Sequence, residues 1–209
     1  MLASFSDTVQ HLRQQLASPL PGHDAHFTMA PRYRQDTTVA SVRDKRCREA
    51  GVLALLYPVE ETPYIILTAR RAHLKQHAGQ VSFPGGRREP GEDLQTTALR
   101  EAEEEIGVPP TSVDVLGAMT PLFIPPSAFC VYPFLGALSH TPDLAPQDAE
   151  VADILHVPLA QLLDPATVQH EDRVLSNRNV NVPFFAIEGH KVWGATAMML
   201  GELVALLRG

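Results

Sequence analysis

Between Gly86 and Val108 the chain reads GRREPGEDLQTTALREAEEEIGV, and its second half constrains the fold more than any other segment. At about 100° per residue, a helix from Asp93 to Ile106 carries Glu101, Glu104 and Glu105 on one face and Ala98, Leu99, Ala102 and Ile106 on an apolar face beside it. Such a helix packs by one side against another layer while still presenting three carboxylates. Glu103 points away from the trio toward solvent, and Gly107 suits the left-handed stop of the helix. Like charges one turn apart repel, and acids near a helix C-terminus oppose its dipole, so a cation is needed to compensate. Hard divalent ions prefer oxygen ligands, and Mg²⁺ or Mn²⁺ suits a shared acidic face completed by water and phosphate oxygens. A solvated acidic face is the other meaning of such a charge run.

The remaining elements are short. GVLALLYP (51–58) and YIILTAR (64–70) read as strands joined by the acidic turn VEETP into a hairpin. VDVLGAM (113–119) and FCVYPFLGAL (129–138) follow the acidic helix, and Pro133 predicts an edge or bulge position for the second. ILHVPL, VPFFAI and KVW precede a closing helix over about 195–207. At the other end, Phe5, Val9, Leu12 and Leu16 recur at helical spacing with Ser4 or Ser6 as cap, followed by a polar loop from Pro19 to about Lys45. Strands and helices mix without βαβ alternation, so an α+β layered architecture is expected. Residues 1–209 are expected to form a single domain, with 1–45 as an N-terminal helix and loop extension.

A formal charge of −7 argues against general nucleic-acid binding, which needs many Lys and Arg contacts to phosphate. It leaves room for one anionic small molecule. Cys47 and Cys130 are far apart and form no CxxC, so neither a disulfide framework nor a thiolate zinc site is expected, and a reducing compartment fits. The opening residues lack the basic start and apolar stretch of a secretory signal, and no segment offers the roughly 20 apolar residues of a membrane span. A cytoplasmic protein is expected, with no membrane partner and a homodimer left open. GxSxG and HExxH are absent, which removes serine-hydrolase and zinc-protease readings.

The same stretch matches a longer pattern: Gly86, five residues, Glu92, seven residues, then Arg100-Glu101-Ala102-any-Glu104-Glu105-any-Gly107-Val108. With each residue type near 7% or less, its seven fixed positions coincide by chance only about once in 10⁸ starts. The pattern resembles the box of the Nudix hydrolases. That resemblance implies an α/β/α sandwich with a mixed sheet, a loop-helix-loop motif and hydrolysis of a phosphoanhydride with Mg²⁺ or Mn²⁺. It further implies metal ligation by Glu101, Glu104, Glu105 and the Gly85 carbonyl, with Arg100 and Glu92 in supporting roles.

Upstream, ILTARRAHLKQHAGQVSFPGG resembles the extra signature of the coenzyme A pyrophosphatase branch. Thr68, Arg70, Gly79 and Phe83 to Gly86 match it, while Ile66, Arg71 and Lys75 depart from it. Lys75 keeps the charge of the usual arginine but loses its bidentate fork. Arg70, Lys75, Gly79, Phe83 and Gly86 are therefore candidate substrate contacts, within a local concentration of positive charge that includes Arg71, Arg87 and Arg88. Coenzyme A is favoured; ADP-ribose, NADH and nucleotide sugars are the alternatives, and a non-catalytic nucleotide sensor is the alternative of another class. Similarity continues through EVADILHVPLAQLL and VWGATAMML, making Glu150 a candidate late-loop carboxylate beside Glu104 for the role of base, or alternatively a surface acid. His73 and His77 are expected to face solvent, and Trp193, Met198 and Met199 to lie in the core.

Overall fold

A computed structural model of the chain describes residues 4–36, 40–71, 80–147, 149–175 and 177–209. The 51–58 run widens into β1 (Arg48–Val59), which returns through β2 (Thr62–Arg70) as an antiparallel hairpin pairing Leu56 with Ile65 and Val59 with Thr62. Glu60 and Glu61 make the two-residue turn, both at positive φ, 46° and 66°. That geometry matches the strands' twist at the cost of a conformation non-glycine residues adopt reluctantly.

Alternation along β1 builds two cores. Ala54 and Leu56 face one apolar cluster, whereas Leu53, Leu55 and Tyr57 face another. Helix α3 (Leu94–Ile106) covers the second face with Ala98, Ala102 and Ile106, all fully buried. Against the first face pack α1 (Phe5–Leu16) and α5 (Gly194–Arg208), through Phe5 and Leu12 and through Ala197, Met198, Leu200 and Leu203. The short helices α2 (Gly22–Phe27) and α4 (Leu159–Leu163) complete the set among the described residues. The result is an α/β/α sandwich around a mixed sheet, the architecture that the resemblance implies.

Within that sheet, β7 (Phe129–Ala137) runs parallel to β1 from Arg48 opposite Phe129 to Leu56 opposite Ala137. Its other edge pairs antiparallel with β5 (Asp114–Ala118) and β6 (Leu122–Ile124). On the far side, β2 pairs with β3 (Val81–Ser82) and β8 (Val151–Pro158), and β4 (Gly85–Arg87) pairs with the start of β1. Strands β9 (Val168–Leu175), β10 (Arg178–Ile187) and β11 (His190–Val192) form a separate antiparallel meander.

Three sequence expectations are corrected. Pro133 sits on an interior strand, not at an edge or bulge. Its position opposite β5 and β6 is the gap where one partner gives way to the other, and its carbonyl accepts from Met119 N at 2.9 Å, so a missing N–H costs no ladder bond there. The 19–45 loop contains α2, whose His26 is wholly buried. Cys47 and Cys130 form a disulfide, with Cα atoms 5.7 Å apart, because the parallel pairing of β1 with β7, Arg48 opposite Phe129 and Glu49 opposite Cys130, brings the residue just before β1 alongside the start of β7. With that pairing the cysteine argument for a reducing compartment falls. No helix among the described residues is long and apolar enough to cross a membrane.

Candidate active site

The acidic helix and the glycine loop before it are fitted to each other. Asp93 caps α3 by accepting from Thr96 N at 2.8 Å, and Gly107 ends it at φ 76°. Glu92, just outside the cap, accepts from Arg100 Nε at 2.7 Å, Thr97 Oγ1 at 2.9 Å and Glu89 N at 3.1 Å. Arg100 also reaches Glu104 at 3.0 Å, Glu101 at 3.0 Å and the Arg87 carbonyl at 3.3 Å. The hydrogen bond from Arg100, followed by that from Glu89 N, holds the Glu92 carboxyl down to about 2. Arg100 and Glu92 thus staple the loop to the helix.

Close approach then decides where Glu101 lies. A Cβ at position 86 would fall 2.4 Å from the Glu101 carboxyl, so only glycine lets that carboxylate lie flat against the loop. Gly85 N donates to Glu105 Oε2 at 3.2 Å. Glu105 is 5% exposed, and its carboxylate accepts no other hydrogen bond among the described residues. The nearest cation, Arg70 Nη1, stands 3.9 Å off. Burial above all pushes Glu105 up to about 7, with the Glu101 and Glu150 charges adding to it against the Gly85 bond and Arg70. Burial likewise raises Glu101 against the opposing effect of Arg100.

Arg70 arrives from the sheet. The β2–β8 register shifts between Ala69 and Arg70, and such a bulge re-aims the side chains beside it. Arg70 Nη2 lies 3.8 Å from Glu150, and the Arg71 amide donates to the Glu150 carbonyl at 3.0 Å. Glu150 itself hangs from a segment tied to the end of α3, through Ala145 N to the Ile106 carbonyl and Gln147 N to the Glu105 carbonyl. Glu101, Glu105, Glu150 and Arg70 therefore meet at one mouth although 80 residues separate the first cationic position from the last acidic one.

This mouth opens into a cavity of about 870 Å³, within the range of small-molecule sites. Phe83, Gly85 and Gly86 line it along with the four charged residues just named. Glu104 does not line it; half exposed, it turns to Arg100. Glu103 faces solvent as expected. Lys75, Gly79, His73 and His77 lie outside the described residues. Of the other arginines, Arg87 lines the cavity, whereas Arg88 is taken by Glu49 at 2.7 Å.

Can these residues hold a divalent ion? Among the described residues no three acidic, histidine or cysteine side chains are already gathered into a ligand cluster. The donor chemistry nevertheless fits: two helix carboxylates, one buried with a single backbone hydrogen bond, beside a loop whose backbone can approach closely. A buried carboxylate so sparsely compensated favours an added cation.

A family model described as the NUDIX domain matches residues 47–177. The chain belongs to the Nudix family. It is 38% identical over 153 residues to the Nudix hydrolase NudL of Photorhabdus laumondii, covering 72% of this chain and 81% of that one. It is 37% identical over the same length to NudL of Yersinia pestis, covering 76% of that protein. Among solved structures, the Nudix hydrolase RenU of M. smegmatis aligns over 55% of this chain and 72% of its own, with a TM-score of 0.45 and 21% identity.

As a Nudix hydrolase, the chain carries its box where the geometry above places it. Sequence reading missed the far end of the cavity, lined by Arg34, Arg48 and Phe129, and misassigned Trp193, which is partly exposed on the cavity wall under the Arg173 guanidinium. Met198 is core as expected, and Met199, though buried, has one side on the cavity. Only the alternation of Arg48, Ala50 and Val52 on a strand could have hinted at a cationic floor.

Proposed function

We propose that this Nudix hydrolase cleaves the phosphoanhydride of coenzyme A or an acyl-CoA, giving 3′,5′-ADP and (acyl-)4′-phosphopantetheine. The supporting observation is the meeting of Arg70, from the coenzyme A-type signature, with Glu101, Glu105 and Glu150 at one cavity mouth. Glu101, Glu105 and the Gly85 carbonyl would hold Mg²⁺ or Mn²⁺, with Glu104 from the same helix completing the set. The bound ion would supply charge neutralisation at the pyrophosphate and a more acidic water. Arg70 stands 3.8 and 3.9 Å from its two carboxylates, loosely enough to turn its fork onto a phosphate oxygen. Glu150, 47% exposed at the mouth, would take the proton of the attacking water. Phe83 is 2% exposed and closes the apolar side, limiting water around the scissile bond.

Product analysis tests this directly. Coenzyme A, acetyl-CoA, ADP-ribose, NADH and a nucleotide sugar are each incubated with the chain and Mg²⁺ or Mn²⁺. Release of 3′,5′-ADP from the coenzyme A species, faster than turnover of the other substrates, is expected. No cleavage of any coenzyme A species overturns the reading.

A further inference from the structure

Six arginines of this chain divide into two groups. Arg13, Arg88, Arg100 and Arg173 each lie 3.0 Å or closer to a carboxylate. Arg34 and Arg48 have no ion pair among the described residues, although both line the cavity of an acidic protein. Both are nonetheless held in place by the same hairpin. Arg48 Nη2 donates to the Ser127 carbonyl at 2.6 Å and its guanidinium lies 4.3 Å above the centre of the Phe129 ring. Arg34 Nη2 donates to the Phe123 carbonyl at 3.4 Å from a short turn, Arg32–Arg34, before β1. These guanidiniums are fixed through neutral acceptors and a ring face, with their charge left over.

Their distance from the chemistry follows from strand register. Arg48, Ala50 and Val52 occupy one face of β1, and all three line the cavity floor with Phe129 and Val131 of β7. Val52 is the partner of Gly85 in β4. Arg48 is four residues back along the strand, about 13 Å at ~3.3 Å per residue. Ala50, between them, is small and leaves the floor low. The cavity thus has a carboxylate mouth, an apolar middle and a cationic end.

We infer that Arg34 and Arg48, with Phe129 beneath Arg48, form a second anion subsite of this cavity, which takes a phosphate borne on the ribose of the nucleoside half of the substrate. The inference rests on the reading of the cavity as a nucleotide site, and it names what distinguishes preferred nucleotides from rejected ones. A planar fork matches a phosphate with two parallel hydrogen bonds. Removing Arg34 from water without a carboxylate partner lowers its pKa, and an arriving phosphate would offset that cost. A nucleotide lacking the ribose phosphate would leave the half-buried Arg34 guanidinium without a counter-charge, while the exposed Arg48 would stay hydrated and lose only the contact.

Calorimetric titration of the full chain with 3′,5′-ADP and with 5′-AMP tests the subsite without any hydrolysis. The unmodified chain is expected to prefer 3′,5′-ADP by at least about tenfold, the scale of a charge-assisted hydrogen bond. Arg48→Ala and Arg34→Ala should each bring the affinity ratio toward one, and Arg48→Lys should restore part of it. Equal affinity for the two nucleotides in the unmodified chain, or an unchanged ratio in both alanine variants, overturns the subsite. Retention of a native circular dichroism spectrum in Arg34→Lys and Arg48→Lys guards against loss of fold. A chain that cleaves no coenzyme A yet keeps the ratio loses the proposed activity and retains the subsite.

Discussion

Glu202 on α5 and Glu105 on α3 are both withdrawn from solvent, 0% and 5% exposed, but their surroundings differ. Glu202 accepts from Gly22 N at 3.2 Å, Thr120 N at 3.0 Å, Thr120 Oγ1 at 2.5 Å and His26 Nε2 at 3.1 Å. Burial raises its pKa, but the hydrogen bonds from His26 and Thr120 outweigh that and leave it lowered. Glu105 has one backbone donor and a guanidinium at a distance, so burial wins and the pKa rises. A buried charge with all its partners in the chain serves the fold, tying α2 and the β5–β6 connection to α5. A buried charge short of partners is one that an added cation would compensate.

Removing each carboxylate should break that contrast in opposite ways. Glu202→Ala strands four donors in the core and is expected to cost on the order of 3–5 kcal/mol, as when one partner of a buried pair is deleted. Urea denaturation reads this, with turnover per folded molecule unchanged. Glu105→Gln should lower kcat at least about 10²-fold, the scale seen when one preorganised charge-stabilising group is lost, while the same urea midpoint stays or rises. A large loss of stability in Glu105→Gln would place Glu105 with Glu202 as a structural residue.

Smaller effects sharpen the same comparison. Mg²⁺ at about 100 times its dissociation constant should stabilise the unmodified chain by roughly 2.7 kcal/mol through linkage. It should do so equally in the Glu202 variant relative to its own baseline, and much less in Glu105→Gln. Thermal unfolding with and without a chelator measures it. Acid should act on Glu202 in a predictable direction. Its folded pKa lies below the unfolded carboxylate value of about 4.3. Its contribution is therefore complete above that pH and is lost as pH falls through the folded value. Between about pH 5 and 3 the unmodified chain should lose stability more steeply than Glu202→Gln, as followed by urea midpoints across that window.

What sequence made legible follows the range of the interactions. Asp93, Gly107 and the Ala98, Ala102, Ile106 stripe specify α3 within fifteen residues, and the strand alternation of β1 and β2 specifies the hairpin. The box residues Glu101, Glu105, Gly85 and Gly86 duly converge. By contrast, the His26–Glu202 pair, the Cys47–Cys130 bridge and the Arg34–Arg48–Phe129 shelf join positions scores of residues apart. No periodicity or spacing encodes those meetings. Pro133 fails for a related reason: edge and gap look alike from one strand, and only the partner strands tell them apart.

The parallel pairing of β1 with β7 carries a consequence for the order in which the molecule comes into being. The cavity floor exists only when Arg48 to Val52 lie beside Phe129 to Pro133, and contacts so far apart in sequence form late and slowly. A chain emerging from the ribosome can complete hairpin and acidic helix well before Phe129 has been made. It has no such cavity until then. Capture of any ligand in this cavity is thereby postponed until most of the sheet is present, so occupancy of the cavity reports on an assembled molecule, never on a fragment of one.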